Sequence, residues 1–131
     1  MKFMLLLWGD ESAWEGMSEE DAAAELVRWD DYTKQLEAAG AMVSGEGLNP
    51  SADSKILRLS GGERTVTDGP FVETKEQLGG FYVIECASIE EALDWAAKLP
   101  SADRGATEIR PVMDYEGTGY EDNQKPAEAR S

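Results

Sequence analysis

Residues 3–8 read FMLLLW and residues 80–86 read GFYVIEC, two short runs that are apolar at successive rather than alternate positions. The first ends on Gly9-Asp10-Glu11 and the second follows Gly79-Gly80, so each is bounded by breakers and suits a strand buried on both faces. A helix pattern follows each run. Ser18-Glu19-Glu20-Asp21 places a capping hydroxyl ahead of three acids, which the helix dipole favours in a first turn. Ala22, Leu26, Trp29, Thr33 and Leu36 then recur at steps of four and three, one face of a helix of about twenty residues. Gly40 stands where a left-handed C-cap closes it. Ser88-Ile89-Glu90-Glu91 repeats the cap, Ala92, Leu93, Ala96 and Ala97 make a second inner face, and Pro100 stops that helix.

Residues 41–43, 55–59, 65–67 and 106–112 supply the remaining strands, with Gly61-Gly62 as the turn between the middle two. The order is β-α-β, a small hairpin, then β-α-β. Two such halves pair as a ferredoxin-like α+β fold: a four-stranded antiparallel sheet, two helices on one face and an extra β-hairpin. Since FMLLLW and FYVI are apolar on both faces and helices cover one, the other face calls for a partner. The expectation is a homodimer packed through the sheet. The domain is read as residues 1–113, and the polar, aperiodic residues 114–131 as a mobile tail.

Composition narrows the chemistry. The chain has 27 acidic against 12 basic residues, a formal net charge of −15, which argues against nucleic acid and anionic membranes because phosphate binding needs a basic surface. It has no histidine and one cysteine, Cys86. Zinc, haem and histidine-based acid/base chemistry lose their usual residues, and no Ser-His-Asp or Cys-His arrangement can form within one chain. Cys86 reads as a buried, inert thiol. No metal and no cofactor is expected. The absence of a disulfide framework fits a reducing cytoplasm, and MKFMLLLW is too short an apolar run to span a bilayer.

The stretch TDGPFVETKEQLGG, residues 67–80, is longer than a hairpin needs. Asp68 suits a turn whose Gly69-Pro70 restricts the backbone, and Phe71 is expected as an apolar anchor pinning the loop to the body. Glu73, Thr74, Lys75 and Glu76 follow. A turn with a plug explains Asp68 and Phe71 without any ligand, whereas the polarity of the ETKE stretch is better explained if Glu73, Thr74 and Lys75 line a cleft. Glu46, a long acid between two glycines, joins them as a ligand-binding candidate. Asp10-Glu11 could hold Mg²⁺ through oxygen ligands, but no third acid stands at a ligand spacing and a solvated loop is the simpler reading. Arg28 and Asp31 are spaced to pair along a helix surface, and Trp29 between them reads as core.

MKFMLLLWGDE, AAGAMVSGEGLNPSA, TVTDGPFVETKEQLGGFYVIE, IEEALDWAAKLP and EIRPV, taken in order, resemble a DGPF-type member of the YCII-related family over about residues 1–113. The resemblance implies a ferredoxin-like fold that dimerises through its sheets. It also carries over the motif residues Asp68, Gly69, Pro70, Phe71, Glu73, Thr74, Lys75 and Glu76. Relatives of the YCII type carry a histidine on the first helix with a nearby Asp as a proposed acid/base pair; that histidine position falls near Trp29 here, so the pair does not carry over.

Three functions follow as expectations. The first is binding of a small polar metabolite in a cleft near the DGPF-x-E-T-K-E loop, through Asp68, Phe71, Glu73, Thr74, Lys75 and Glu46. The second is a cofactor-independent enzyme, monooxygenase- or isomerase-like, with Asp68, Glu73 or Lys75 as base, because no histidine exists. The third is an interaction partner, such as a sigma-factor-associated regulator, its acidic surface attracting a basic protein.

Overall fold

In the computed structural model, which describes residues 1–118, the elements run β1 (Lys2–Gly9), α1 (Ser12–Glu15), α2 (Glu19–Ala38), β2 (Met42–Gly47), a 3₁₀ turn (Ser51–Asp53), β3 (Lys55–Ser60), β4 (Glu63–Asp68), β5 (Gln77–Glu85), α3 (Ile89–Ala97) and β6 (Gly105–Pro111). Strands β2-β5-β1-β6 form one antiparallel sheet in that order, and β3-β4 a separate two-stranded sheet. This is the ferredoxin-like arrangement with a hairpin inserted before the third strand of the main sheet. The two continuous apolar runs, β1 and β5, are its two central strands.

Local chemistry sets the boundaries. The Ser18 hydroxyl accepts from the Asp21 amide and so caps α2. At the far end Gly40 takes φ +69°, Ala41 N–H donates to Leu36 C=O and Gly40 N–H to Glu37 C=O, a Schellman closure. Ser88 caps α3 through the Glu91 amide while the Glu91 carboxylate accepts from Ala87 N–H. The β3-β4 hairpin turns on Gly61 and Gly62, both at positive φ, the two-residue turn that matches strand twist. The short α1 and the 3₁₀ turn carry no periodicity, and the sequence gives no sign of either.

The core lies between the sheet and α2 and α3. Phe3, Leu5, Leu36 and Ile84 are fully buried, joined by Tyr32, Tyr82, Ala92, Ala96 and Leu99. Each large apolar side chain withdrawn from water contributes about 1.5–3 kcal/mol. The face of α2 keeps four of the five expected positions inward, Leu36 buried and Ala22, Trp29 and Thr33 half-buried, but not Leu26. Glu25, Tyr32 and Leu36 are its buried residues, and Leu26 is 62% exposed. On α3, Ala92 and Ala96 are inside but Leu93 is exposed. On α2, Tyr32 joins the inward stripe beside Thr33 because it closes against the sheet. Its ring meets Tyr82 edge-on at 5.4 Å and its hydroxyl donates to Trp95 C=O at 2.8 Å. Burial, then the neighbouring Tyr82, pushes the Tyr32 hydroxyl pKa well above its ordinary value.

Glu25 is the buried charge of the fold, and two arginines hold it. Arg104, in the segment between α3 and β6, pairs with one carboxylate oxygen, and Arg28 donates to the other at 3.2 Å. Both guanidinium groups also donate to Pro100 C=O, at 3.0 and 3.3 Å. Arg28 thus pairs with Glu25 rather than with Asp31. On the opposite face of the sheet Met4, Leu6, Phe81 and Val83 share a side by register and are half-buried.

Candidate functional site

Where the sheet runs past α2, its helix-facing positions hold glycines. Register pairs Leu7 with Gly80, Gly80 with Gly47, Tyr82 with Gly45, and Gly9 with Gly105, so Gly9, Gly45, Gly47, Gly80 and Gly105 share the face that carries the helices. A strand end without side chains is a floor of bare backbone. Above it lies a cleft of about 450 Å³, walled by Trp14, Leu26, Trp29 and Tyr82, with Trp8, whose side chain falls on the helix-free face by register, at its margin. A Cβ at Gly9 or Gly47 would meet nothing within 4 Å, whereas one at Gly45 would lie 2.8 Å from the Tyr82 ring. Two of the glycines therefore leave space open, and Gly45 admits an aromatic ring.

The wall is polarised at one place. Thr33 Oγ1 donates to Trp29 C=O at 3.0 Å and lies 2.8 Å from the Tyr82 hydroxyl. Its one hydrogen being committed to the carbonyl, Thr33 accepts from Tyr82, which leaves the Tyr82 oxygen an acceptor at the cleft. Trp29 stacks on Tyr82 at 6.4 Å with the planes 15° apart. It is half-buried, so it packs on the core with one part of its ring and faces the cleft with another.

A second, more open chamber shares Trp8, Asp10 and Arg104 with the first and adds Thr74, Lys75 and Glu76. Two of its three carboxylates, Asp10 and Glu108, have structural duties. Asp10 accepts from the Ser12 hydroxyl at 2.7 Å and the Ser12 amide at 3.0 Å; these bonds, then the charge of Lys75, hold its pKa below the usual value. Glu108 accepts from Trp8 Nε1 at 3.1 Å and pairs with Arg110, and the arginine first, then the indole, lowers its pKa. Glu11 accepts from Ser51 N–H and Oγ at 2.7 and 2.8 Å, tying the loop after β1 to the turn before β3. Asp10 and Glu11 are thus anchors, and among the described residues no group of three His, Cys, Asp or Glu could hold a metal ion.

The structure divides the candidates of the 67–80 stretch. Lys75 and Thr74 line the second chamber with Asp10. Asp68 pairs with Lys55 across the hairpin, where both are exposed. Phe71 is not the anchor expected. It is 67% exposed, with Arg58 over its ring at 5.2 Å, because the loop leads out along the hairpin rather than back over the core. Glu73 is exposed and lines neither chamber. Glu46 is part of the cleft lining, but its register partner is Phe81, on the face without helices. The loop is held instead by Gln77, whose amide donates to Val72 C=O at 2.8 Å and Thr74 C=O at 3.0 Å, while the Thr74 hydroxyl closes onto Glu76 C=O. Trp8, Trp14, Tyr82 and Arg104 were not singled out from sequence for the site. The signal that could have found them is the run of glycines at alternating strand positions. Cys86 is half-buried rather than fully buried; burial raises its thiol pKa, and the thiol donates to Ser88 C=O.

Fold and cleft together define a small ferredoxin-like α+β domain with a glycine-floored, tryptophan-walled pocket at one end of its sheet. The chain belongs to the YCII-related domain family, whose model matches residues 1–116. It is similar to an uncharacterised protein of Rhizobium meliloti (strain 1021), 39% identical over 117 residues, covering 88% of this chain and 94% of that one. Among solved structures it is similar to the 5-chloro-2-hydroxyhydroquinone dehydrochlorinase of Burkholderia phenoliruptrix AC1100 in complex with 2,5-dihydroxybenzoquinone. That likeness has 18% identity and a TM-score of 0.48, and covers 86% of this chain and 94% of that chain. Among the described residues no helix is long and apolar enough to cross a membrane.

Proposed function

We propose that the protein binds a small metabolite in the cleft between α2 and the glycine-floored end of the sheet, beside the segment that carries Thr74 and Lys75. The observation that carries this reading is the bare backbone floor beneath two tryptophans: Trp14 and Trp29 flank about 450 Å³ of space. A concave, mostly apolar site with a few polar groups is the usual form of a small-molecule pocket, and here those groups include the Tyr82 oxygen, with Lys75 in the adjoining chamber. The motif residues Asp68 to Glu76 support reading the chain as a DGPF-type member of its family, with Asp68 and Phe71 shaping the hairpin side of the loop.

The test is a metabolite screen read by thermal shift and tryptophan fluorescence. A ligand at a hundred times its Kd should stabilise the native state by about 2.7 kcal/mol. Gly47→Val, which puts a side chain into open space, should abolish the shift without unfolding the protein. A hit whose shift is the same in Gly47→Val would place the binding elsewhere.

An enzymatic reading without a cofactor keeps one of its three candidate bases, Lys75, which lines the open chamber with Asp10. The homodimer is proposed through the helix-free face of the sheet, where Met4, Leu6, Phe81 and Val83 lie side by side. Sedimentation at micromolar concentration showing only monomer would overturn it.

A further inference from the structure

We propose that the part of the cleft where Lys75 and Arg104 line the same chamber is an anion subsite, and that the ligand is therefore an aromatic acid: a planar ring bearing a carboxylate or a comparable ionised oxygen. The inference rests on the small-molecule reading of the cleft and names the class of ligand.

The argument is one of unspent donors. Arg104 Nη2 gives its two hydrogens to Glu25 and to Pro100 C=O. A guanidinium has five N–H groups, so three remain, on Nη1 and Nε, and among the described residues none of these is hydrogen-bonded. The Glu25 carboxylate, buried and shared with Arg28, fixes Arg104 in place, while 38% of the Arg104 side chain stays accessible at the junction of the two chambers. Lys75, on the loop knotted by Gln77, has no hydrogen bond or ion pair among the described residues, and its charge is felt by Asp10.

The neighbouring carboxylates are engaged differently. Asp10 is bonded to Ser12, and Glu108 to Trp8 and Arg110. Cations with free donors thus line the cavity, and of its three acids Asp10 and Glu108 are turned to structure while the Glu76 carboxylate is not. At a net charge of −15 the chain repels anions as a whole, so this pair of cations is not a by-product of a basic surface. The other chamber supplies a flat backbone floor and indole walls, which suit a planar ring. A fork-shaped guanidinium beside a lysine suits the oxygens attached to that ring.

The probes are 2-naphthoate and its neutral isostere 2-naphthamide, titrated against the full chain by tryptophan quenching at fixed ionic strength. Naphthoate should bind at least about ten-fold tighter, the ratio set by one charge-assisted hydrogen bond. Lys75→Gln, an exposed loop substitution, should narrow that ratio, and so should Arg104→Lys, which keeps the charge beside Glu25 but loses the fork. Gly47→Val should weaken both probes alike. Equal affinity for the two probes, or a ratio unchanged in Lys75→Gln, overturns the anion subsite and leaves the cleft as a neutral pocket. Failure of both probes to bind overturns the cleft reading and this one with it.

Discussion

Glu25→Gln tests the device that joins α2 to the chain leading into β6. Glu25 is 6% exposed, and its two oxygens take one arginine each. The Arg28 contact is an i,i+3 pair with a well-exposed partner, worth about 0.2–0.5 kcal/mol. The Arg104 contact is a hydrogen bond between charged groups, about 1.5–3 kcal/mol, to be taken near the low end because more than a third of Arg104 remains in water. The amide keeps the shape of the carboxylate and removes the charge, so the expected loss is about 2 kcal/mol. For a domain of this size that is roughly 6–10 °C in Tm. The assay is urea unfolding of the wild type, Glu25→Gln, Arg104→Gln and the double variant, with the coupling taken from the cycle. A coupling of about 1–1.5 kcal/mol is expected. A value below about 0.5 kcal/mol would refute the claim that this buried pair holds Arg104 in place, and with it the pre-set cation at the cleft.

The same substitution should have opposite consequences at two glycines. Gly105→Ala would set a Cβ 2.2 Å from the Trp8 carbonyl and should cost about 1–3 kcal/mol in urea unfolding, whereas Gly47→Ala meets open space and should leave the midpoint nearly unchanged. Tyr32→Phe should cost about 0.5–1.5 kcal/mol at neutral pH by orphaning the Trp95 carbonyl. Because folding raises the Tyr32 pKa above its ordinary 10.0, the unfolded state releases that proton first, so the wild type loses stability as the pH climbs past 10.0 and the variant should lose less. Thermal melts between neutral pH and pH 11, roughly the top of the usable range, check both limbs, and parallel curves would refute the assignment. Ser18→Ala should lower stability by about 1 kcal/mol through the lost cap. Leu6→Glu, on the helix-free face, should shift sedimentation toward monomer while far-ultraviolet dichroism stays unchanged.

Elements were legible in this sequence because their causes are local. Ser18 and Ser88 start helices by a hydroxyl three residues from an amide, and Gly40 ends one by tolerating a positive φ. FMLLLW and FYVI read as central strands because each is a short apolar run at successive positions bounded by breakers, the pattern of a strand flanked on both sides. From these the ferredoxin-like order follows, since two βαβ halves have few ways to share a sheet. The family resemblance rests on the same contiguous motifs.

What tertiary structure alone decided is which side chains meet. That Tyr32 and Glu25 join the inward stripe of α2 while Leu26 stays out depends on partners some 50 to 80 positions away, Tyr82 and Arg104. Periodicity fixes the spacing of a helical stripe but leaves open which residues at its edges are buried. The cleft is of the same kind. Its floor is drawn from glycines on four strands, its walls from β1, α1, α2 and β5, and its cations from two loops. Of the motif Asp68 to Glu76, conspicuous as a string of residues, only Thr74 to Glu76 line a chamber of the cleft. Asp68 and Phe71 are carried off along the hairpin, because the strand pairing of β3 with β4, and not the loop's own composition, sets where the loop begins.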